Sequence, residues 1–194
     1  MRKLLVFSAL ILSILLVSPP RTFGQIEFFG GYSYLRLGNA GPSMKSNANG
    51  WEASVALHLL GPFGAELDYS NHYGISPVPA PAGSERFVPE LSQMVGPRFN
   101  LLSLPRVEPF VHALFGTLHG VAEVSPPPGC TACSTTTVRE DPFAMAFGGG
   151  INVKATHHIW LRLIQADYVH ANFSSHPQND TRISTGFVLR FGRW

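Results

Sequence analysis

The chain has 194 residues, 45% of them hydrophobic and only 13% charged, with 19 glycines, 16 prolines and a formal net charge of +2. Loss of a leader carrying Arg2, Lys3 and Arg21 and no acid would bring that charge to −1, so there is no electrostatic case for nucleic-acid binding. No segment after the leader is long and apolar enough for a membrane helix, whereas abundant Gly and Pro with few charges suit short strands joined by turns, with part of the surface facing lipid.

Residues 1–24 read as an export signal. Arg2 and Lys3 precede the apolar run Leu4–Val17, which is short of the ~20 residues of a spanning helix. Thr22-Phe23-Gly24 supplies small residues for cleavage after Gly24, and no lipoprotein cysteine follows the run. The remainder, 25–194, is long enough for one domain.

Beyond Gly24 the chain alternates strand-length segments with punctuation. The first strand is expected over Gln25–Leu37, with Ile26, Phe28, Tyr32 and Tyr34 on one face and Glu27, Gly31 and Ser33 on the other. The second, Trp51–Leu59, sets Trp51, Val55 and Leu57 against Glu52, Ser54 and His58; after Gly61-Pro62 the third sets Phe63, Leu67 and Tyr69 against Glu66, Asp68 and Ser70. The fourth, Phe87–Leu101, carries Pro89 and Pro97, which donate nothing to a ladder and predict a bulge; Met94, Gly96, Arg98 and Asn100 are expected inside. The fifth, Val107–Val124, groups Glu108, Phe110, His112, Leu114 and Gly116, and the sixth, Pro142–Lys154, groups Ala144, Ala146, Gly148, Gly150 and Asn152. The seventh, His158–His170, breaks parity. Lipid-facing Ile159, Leu161 and Leu163 send Arg162 inward but Gln165 and Asp167 outward, so either a bulge lies between Leu163 and Asp167 or the strand has left the hydrocarbon. The eighth, Thr181–Phe191, alternates Ile183, Phe187 and Leu189 with Arg182, Ser184, Gly186 and Arg190. Period two with one apolar face is the strand signal.

The connections are alternately long (Gly38–Gly50, Gly74–Arg86, Ser125–Asp141, Ala171–Asp180) and short (Leu60–Pro62, Ser103–Arg106, Ala155–His157). Seven connections imply eight strands. Long external loops paired with short periplasmic turns characterise an all-β, eight-stranded antiparallel up-and-down transmembrane β-barrel. A soluble barrel would turn its apolar face inward around a ligand; here that face points out, and Tyr32, Tyr34, Trp51, Tyr69 and Tyr168 fall where interfacial aromatics sit.

These residues resemble the small outer-membrane β-barrel proteins of the OmpA/OmpX-like type, the "porin family" of outer membrane β-barrel domains. The likeness rests on Met94-Val95-Gly96-Pro97-Arg98-Phe99, Pro109–Gly116, Gly148–Ile151, Arg162–Tyr168 and Ser184–Phe191, and it spans the whole exported chain. It implies that Ser184, Gly186, Leu189 and Phe191 form a terminal strand signal read by the barrel-insertion machinery. The extension Gly192-Arg193-Trp194 departs from the usual aromatic end, and no peptidoglycan-binding domain follows.

The charges expected inside are Glu52, Glu66, Asp68 and Glu108 against Arg98, Arg162 and Arg190, with His58 and His112 as further members. Confined charges persist by pairing, and an eight-stranded lumen is narrow enough to be filled by side chains. The expected role is therefore a structural plug; the alternative is a narrow porin-like path for small solutes or ions. Cys130 and Cys133, in a long Pro/Thr-rich loop, suit a small disulfide in an oxidising compartment. A redox pair would want a helix N-terminus or a cation, and zinc two more ligands. Ser174-Ser175-His176 with Asp180 is the nearest approach to a lipid-modifying triad, but neighbouring positions on one loop do not define the needed geometry. Gly148-Gly149-Gly150 lacks the Gly-Lys-Ser/Thr and helix of a phosphate loop. The expected protein is thus non-enzymatic, without catalytic, metal or cofactor residues. It is a monomer in outer-membrane lipid, with external loops as a binding or adhesion surface.

Overall fold

The computed structural model describes residues 25–38, 47–74, 87–102, 104–126, 134–174 and 177–192. The leader, Cys130, Cys133, Ser175 and His176 lie outside them. Nine strands are described: β1 (Gln25–Leu37), β2 (Asn47–Leu60), β3 (Phe63–Tyr73), β4 (Val88–Asn100), β5 (Val107–Val124), β6 (Thr136–Glu140), β7 (Phe143–Lys154), β8 (Ile159–Asn172) and β9 (Pro177–Gly192). All pairings are antiparallel. The ring runs β1-β2-β3-β4-β5-β7-β8-β9 and closes between β9 and β1. This is the expected eight-stranded up-and-down barrel. Closure leaves the ring no free edge.

The extra strand is β6. It lies within the stretch expected to be the longest loop, and pairs Thr136–Glu140 with Val124–Gly120 at the end of β5. Two other expected loops are shorter than the sequence suggests, because β2 begins at Asn47, β8 runs to Asn172 and β9 starts at Pro177. Polar residues such as Asn47, Asn49, Asn172 and Asn179 hide these extensions, since a strand that has left the hydrocarbon needs no apolar face. At the other end the turns are tight. Gly61, between β2 and β3, has φ +56°, a left-handed conformation that a side chain would strain.

Both suspected irregularities are bulges. The β4–β5 register shifts between Pro89 and Leu91; Pro97 stays in register, facing outward. On β8 the shift falls between Arg162 and Gln165 against β9. Leu163 (56% exposed) and Ile164 (47%) both face outward in succession, so Gln165 and Asp167 return to the interior. An outward belt of Phe28, Leu67, Val95, Phe115, Phe147, Ile183, Phe187 and Leu189 surrounds the barrel. Towards the loop end it is edged by aromatics, with Trp51 stacked on Tyr69 at 5.4 Å and Tyr32 donating to Asn49 at 2.5 Å.

The core is the barrel's own interior, and it has two parts. The end with the short turns and the middle are mostly polar, with Phe29, Trp160 and Val188 packed among the charges. At the loop end, Phe87, Met94, Leu114, Leu118, Ala122, Ala144, Ala146, Val169, Ala171 and Phe173 form one apolar cluster, and Leu35, Leu37 and Ala48 form another.

Candidate functional site: the barrel interior

Alternation sends every second side chain of eight strands into one narrow lumen. Glu27, Glu52, Glu66, Asp68, Glu108 and Asp167 are buried there with Arg98, Arg162, Arg182 and Arg190, and with His58 and His112. The seven charged residues read as interior from sequence (Glu52, Glu66, Asp68, Glu108, Arg98, Arg162 and Arg190) all lie inside. They are joined by Glu27, Asp167 and Arg182, which that set omitted. Parity on β1 and β9 already points Glu27 and Arg182 inward; Asp167 is hidden by the β8 bulge.

The pairs form three tiers. Nearest the turns, Arg190 lies 2.7 Å from Glu27 and 2.5 Å from Glu108, Arg98 lies 3.0 Å from Glu27, and His58 Nε2 meets Glu27 at 2.8 Å. Arg190 also stacks on Trp160 at 3.8 Å, which floors the lumen with an aromatic face. In the middle, Ser54 donates to Glu66 at 2.7 Å, while Arg98 and Arg162 approach Glu66 at 3.7 Å each. Phe29 and Phe110 pack against the guanidiniums of Arg162 and Arg98 at 4.0 and 3.9 Å. His112 bridges this tier to the next, Nδ1 to Glu66 at 2.9 Å and Nε2 to Asp167 at 2.8 Å. Each contact needs a proton, carried by the ring or by the acid.

The third tier centres on Arg182. It donates to Asp68 at 2.7 Å, to Asp167 at 2.8 and 3.0 Å and to Ser70 at 3.1 Å, and lies 3.3 Å from Glu52. Gln165 donates to Glu52 and Asp167, both at 2.8 Å, and accepts from Arg162. Ser184 donates to Glu52 at 2.5 Å and its oxygen meets the Ser33 hydroxyl at 3.1 Å, and Ser33 meets His72 at 2.9 Å. Gly148 makes this packing possible: a Cβ there would sit 2.1 Å from Asp167 Oδ1 and 2.3 Å from the Ala166 carbonyl.

Above Arg182 the interior turns apolar. A void bounded by Leu35, His72, Leu91, Leu118, Val169 and Arg182 offers about 10 Å³, space for about one water. Phe87 and Phe173 stack at 4.5 Å, nearly parallel. Phe173 reaches β5, where a Cβ on Gly120 would lie 2.5 Å from its ring. The lumen is thus filled by ion pairs below and closed by rings above.

Other candidates separate. Glu27, His58 and Glu108 present ligand atoms within 4.8 Å of one another, but the Arg190 guanidinium already lies between the two carboxylates as their counter-ion. Of the triad-like residues, Ser174 is exposed with its amide on Glu140. Asp180 is buried, accepting from the Gly38 amide at 3.2 Å and from Gln178 at 2.9 Å. In the terminal strand, Ser184 and Gly186 face inward and Leu189 and Phe191 outward. Gly186 sits against β1, where its Cβ would meet the Gly30 carbonyl at 2.4 Å.

No protein-family model and no curated protein sequence matches this chain. Solved structures do. Ail, the attachment invasion locus protein of Yersinia pestis, in complex with the heparin analogue sucrose octasulfate, superposes with a TM-score of 0.54 at 17% identity, over 87% of this chain and 99% of that one. Neisserial surface protein A matches with a TM-score of 0.57 at 11% identity, over 86% and 96%. The N-terminal β-barrel domain of Pseudomonas aeruginosa OprF matches with a TM-score of 0.50 at 10% identity, over 87% and 98%. Likeness at such low identity is a likeness of fold: this chain has the closed eight-stranded barrel fold of these outer-membrane proteins, with an apolar belt outside and a largely polar lumen.

Proposed function

We propose that the protein is a non-conducting, monomeric component of the outer membrane, exported by a cleaved leader, whose closed barrel serves as a rigid scaffold for an external binding or adhesion surface. The observation that carries this reading is the filled lumen. Ion pairs occupy its lower and middle tiers and an apolar cluster its loop end, so buried side chains fill the described interior. The side chains inside pair with one another rather than converge on an empty pocket, which is the arrangement of a structural core. This weakens both the pore and the lipid-modifying readings.

The scaffold is most elaborated at the loop end. There β5 continues to Val124 and carries β6 beside it, and Glu140 accepts from the Ser174 amide at 2.9 Å, tying this ribbon to the chain leaving β8. A rigid frame with polar connections is the usual architecture of a binding surface. Yersinia Ail is seen with a sulfated sugar. Among the described loop-end residues here, the cations Arg36 and Arg139 are matched by Glu123, Glu140 and Asp141, so charge favours no polyanion.

The test joins two measurements on the refolded protein. Planar bilayers containing it should stay electrically silent, and steady single-channel openings would overturn the scaffold reading. Replacing residues 122–140 by a short Gly/Ser connection should abolish adhesion to host cells or matrix conferred by the full chain, while the gel shift between unheated and boiled samples persists. Adhesion that survives in a folded variant would remove the β5–β6 ribbon as the contact surface.

A further inference from the structure

The short-turn end carries a feature that the scaffold reading does not use. The turns after β4 and after β7 lie side by side, locked by a hydrogen bond from the Lys154 amide to the Arg106 carbonyl at 2.9 Å. The second turn is fixed by its own bonds: the Ala155 and Thr156 amides donate to the Ile159 carbonyl at 3.1 and 2.8 Å, and the Ile159 amide donates to Thr156 Oγ1 at 3.1 Å. Between the turns is an open groove of about 610 Å³, lined by Pro105, Arg106, Lys154, Ala155, Thr156 and His157. No acid lines it. Arg106 and Lys154 are exposed, and neither pairs with a described carboxylate.

Directly above this groove the outer wall is apolar. Val107 pairs with Val153 and Pro109 with Ile151 on adjoining β5 and β7. Beside it Leu101, Leu102 and Leu104 are exposed, 49–58% of each side chain. Adjacent strands are ~4.8 Å apart, so two cations on neighbouring strand ends can meet one phosphate, with an acyl-facing wall rising from the same place. Lys154 Nζ lies 6.0 Å from the centre of the Trp160 ring, but neither it nor Arg106 has a described carboxylate to neutralise it; exposed leucines beside such cations would be out of place in open water, and at a headgroup boundary both are satisfied.

We propose that this groove binds the phosphate headgroup of an anionic phospholipid in the inner leaflet, with Arg106 and Lys154 as the charge partners and the β5–β7 wall against its chains. The proposal rests on the membrane placement argued above. It fixes an orientation, with the short turns at a phospholipid leaflet, and it gives the barrel a specific lipid contact rather than a generic apolar belt.

The full exported chain is refolded into nanodiscs of phosphatidylcholine containing phosphatidylglycerol, released into mild detergent, and weighed with its retained lipid by native mass spectrometry. The wild type should keep phosphatidylglycerol in preference to phosphatidylcholine. The Arg106→Ala/Lys154→Ala variant should lose about ten- to thirty-fold of that preference, two surface cations being removed. Arg36→Ala/Arg139→Ala, at the opposite end, should lose none. Retention unchanged by the first pair, or equal retention of both lipids by the wild type, overturns the proposal. If inorganic phosphate at millimolar concentration strips the lipid as fully as the double substitution does, the groove is a free-phosphate site and the lipid assignment falls. Failure of the chain to enter nanodiscs would overturn the membrane reading itself, and the gel shift on boiling separates that outcome from a folded, inserted barrel that ignores lipid charge.

Discussion

The lower and upper parts of the lumen are built from the same strands, yet they are filled by opposite chemistries. On β5, Glu108 and His112 point into the charged tiers, whereas Leu118 and Ala122, on the same inward row, enter the apolar cluster. On β8, Asp167 binds Arg182, and Val169, two residues on, packs against the apolar cluster. The boundary lies just above Arg182. Below it, ion pairs and directional hydrogen bonds hold most of the charged groups, although some polar atoms, such as Asn152 Nδ2 and Arg190 Nε, have no hydrogen-bond partner. Above it, shape alone holds Phe87 to Phe173. A barrel interior thus need not be uniformly polar: lipid-facing chemistry is set by the bilayer, while lumen chemistry is set only by what fills the space.

The largest expected difference comes from Arg182→Ala. Three carboxylates, Asp68, Asp167 and Glu52, would lose their common guanidinium in a closed interior. Removing one member of a buried ionic set costs about 3–5 kcal/mol, and the upper value is expected here. Guanidinium unfolding of the refolded protein, followed by tryptophan fluorescence, measures it; a loss below about 1 kcal/mol would mean that water already solvates this tier. Phe173→Ala comes next. It removes one ring of the upper stack and should cost about 3 kcal/mol, the low end for a buried Phe, because the site opens to the loops. The double variant tests whether the two layers are independent. Near-additive losses are expected, and a deviation above about 1 kcal/mol would show that lid and plug are coupled across the boundary.

Period two and the loop rhythm made the barrel legible, because each membrane strand must show lipid an apolar face. Glu66, Asp68, Arg98, Arg162 and Arg190 were legible as interior on parity alone. Parity fails at Leu163-Ile164, where two successive side chains face lipid; the single inserted residue reverses all that follows, which is why Asp167 and Gln165 were not assigned. The apolar upper lumen was only partly legible, for another reason. Parity did send Met94, Ala144 and Ala146 inward, but Leu118 and Val169 are ordinary strand residues, and nothing local distinguishes an inward apolar side chain from one in an extended strand beyond the membrane. Likewise Thr136–Glu140 reads as a polar loop, since β6 is held by backbone pairing to β5 and buries little.

The smallest expected effect sharpens the comparison from outside the lumen. His119 Nδ1 lies 2.5 Å from Asp141 Oδ1, shorter than the 2.8 Å from His58 to Glu27 and the 2.9 and 2.8 Å from His112 to Glu66 and Asp167. Distance alone would rank this pair as the strongest of the histidine contacts. Exposure reverses the ranking, since Asp141 is 69% and His119 33% accessible, and water competes for both groups. Exposed pairs contribute about 0–1 kcal/mol, so His119→Ala should shift the unfolding free energy by less than about 0.5 kcal/mol. His112→Ala, made at longer contacts but with both ring nitrogens on buried carboxylates, should shift it by about 3 kcal/mol or more. If the two substitutions cost the same, burial would not be what separates the plug from the rim, and the tiers around Arg182 would have to be open to solvent.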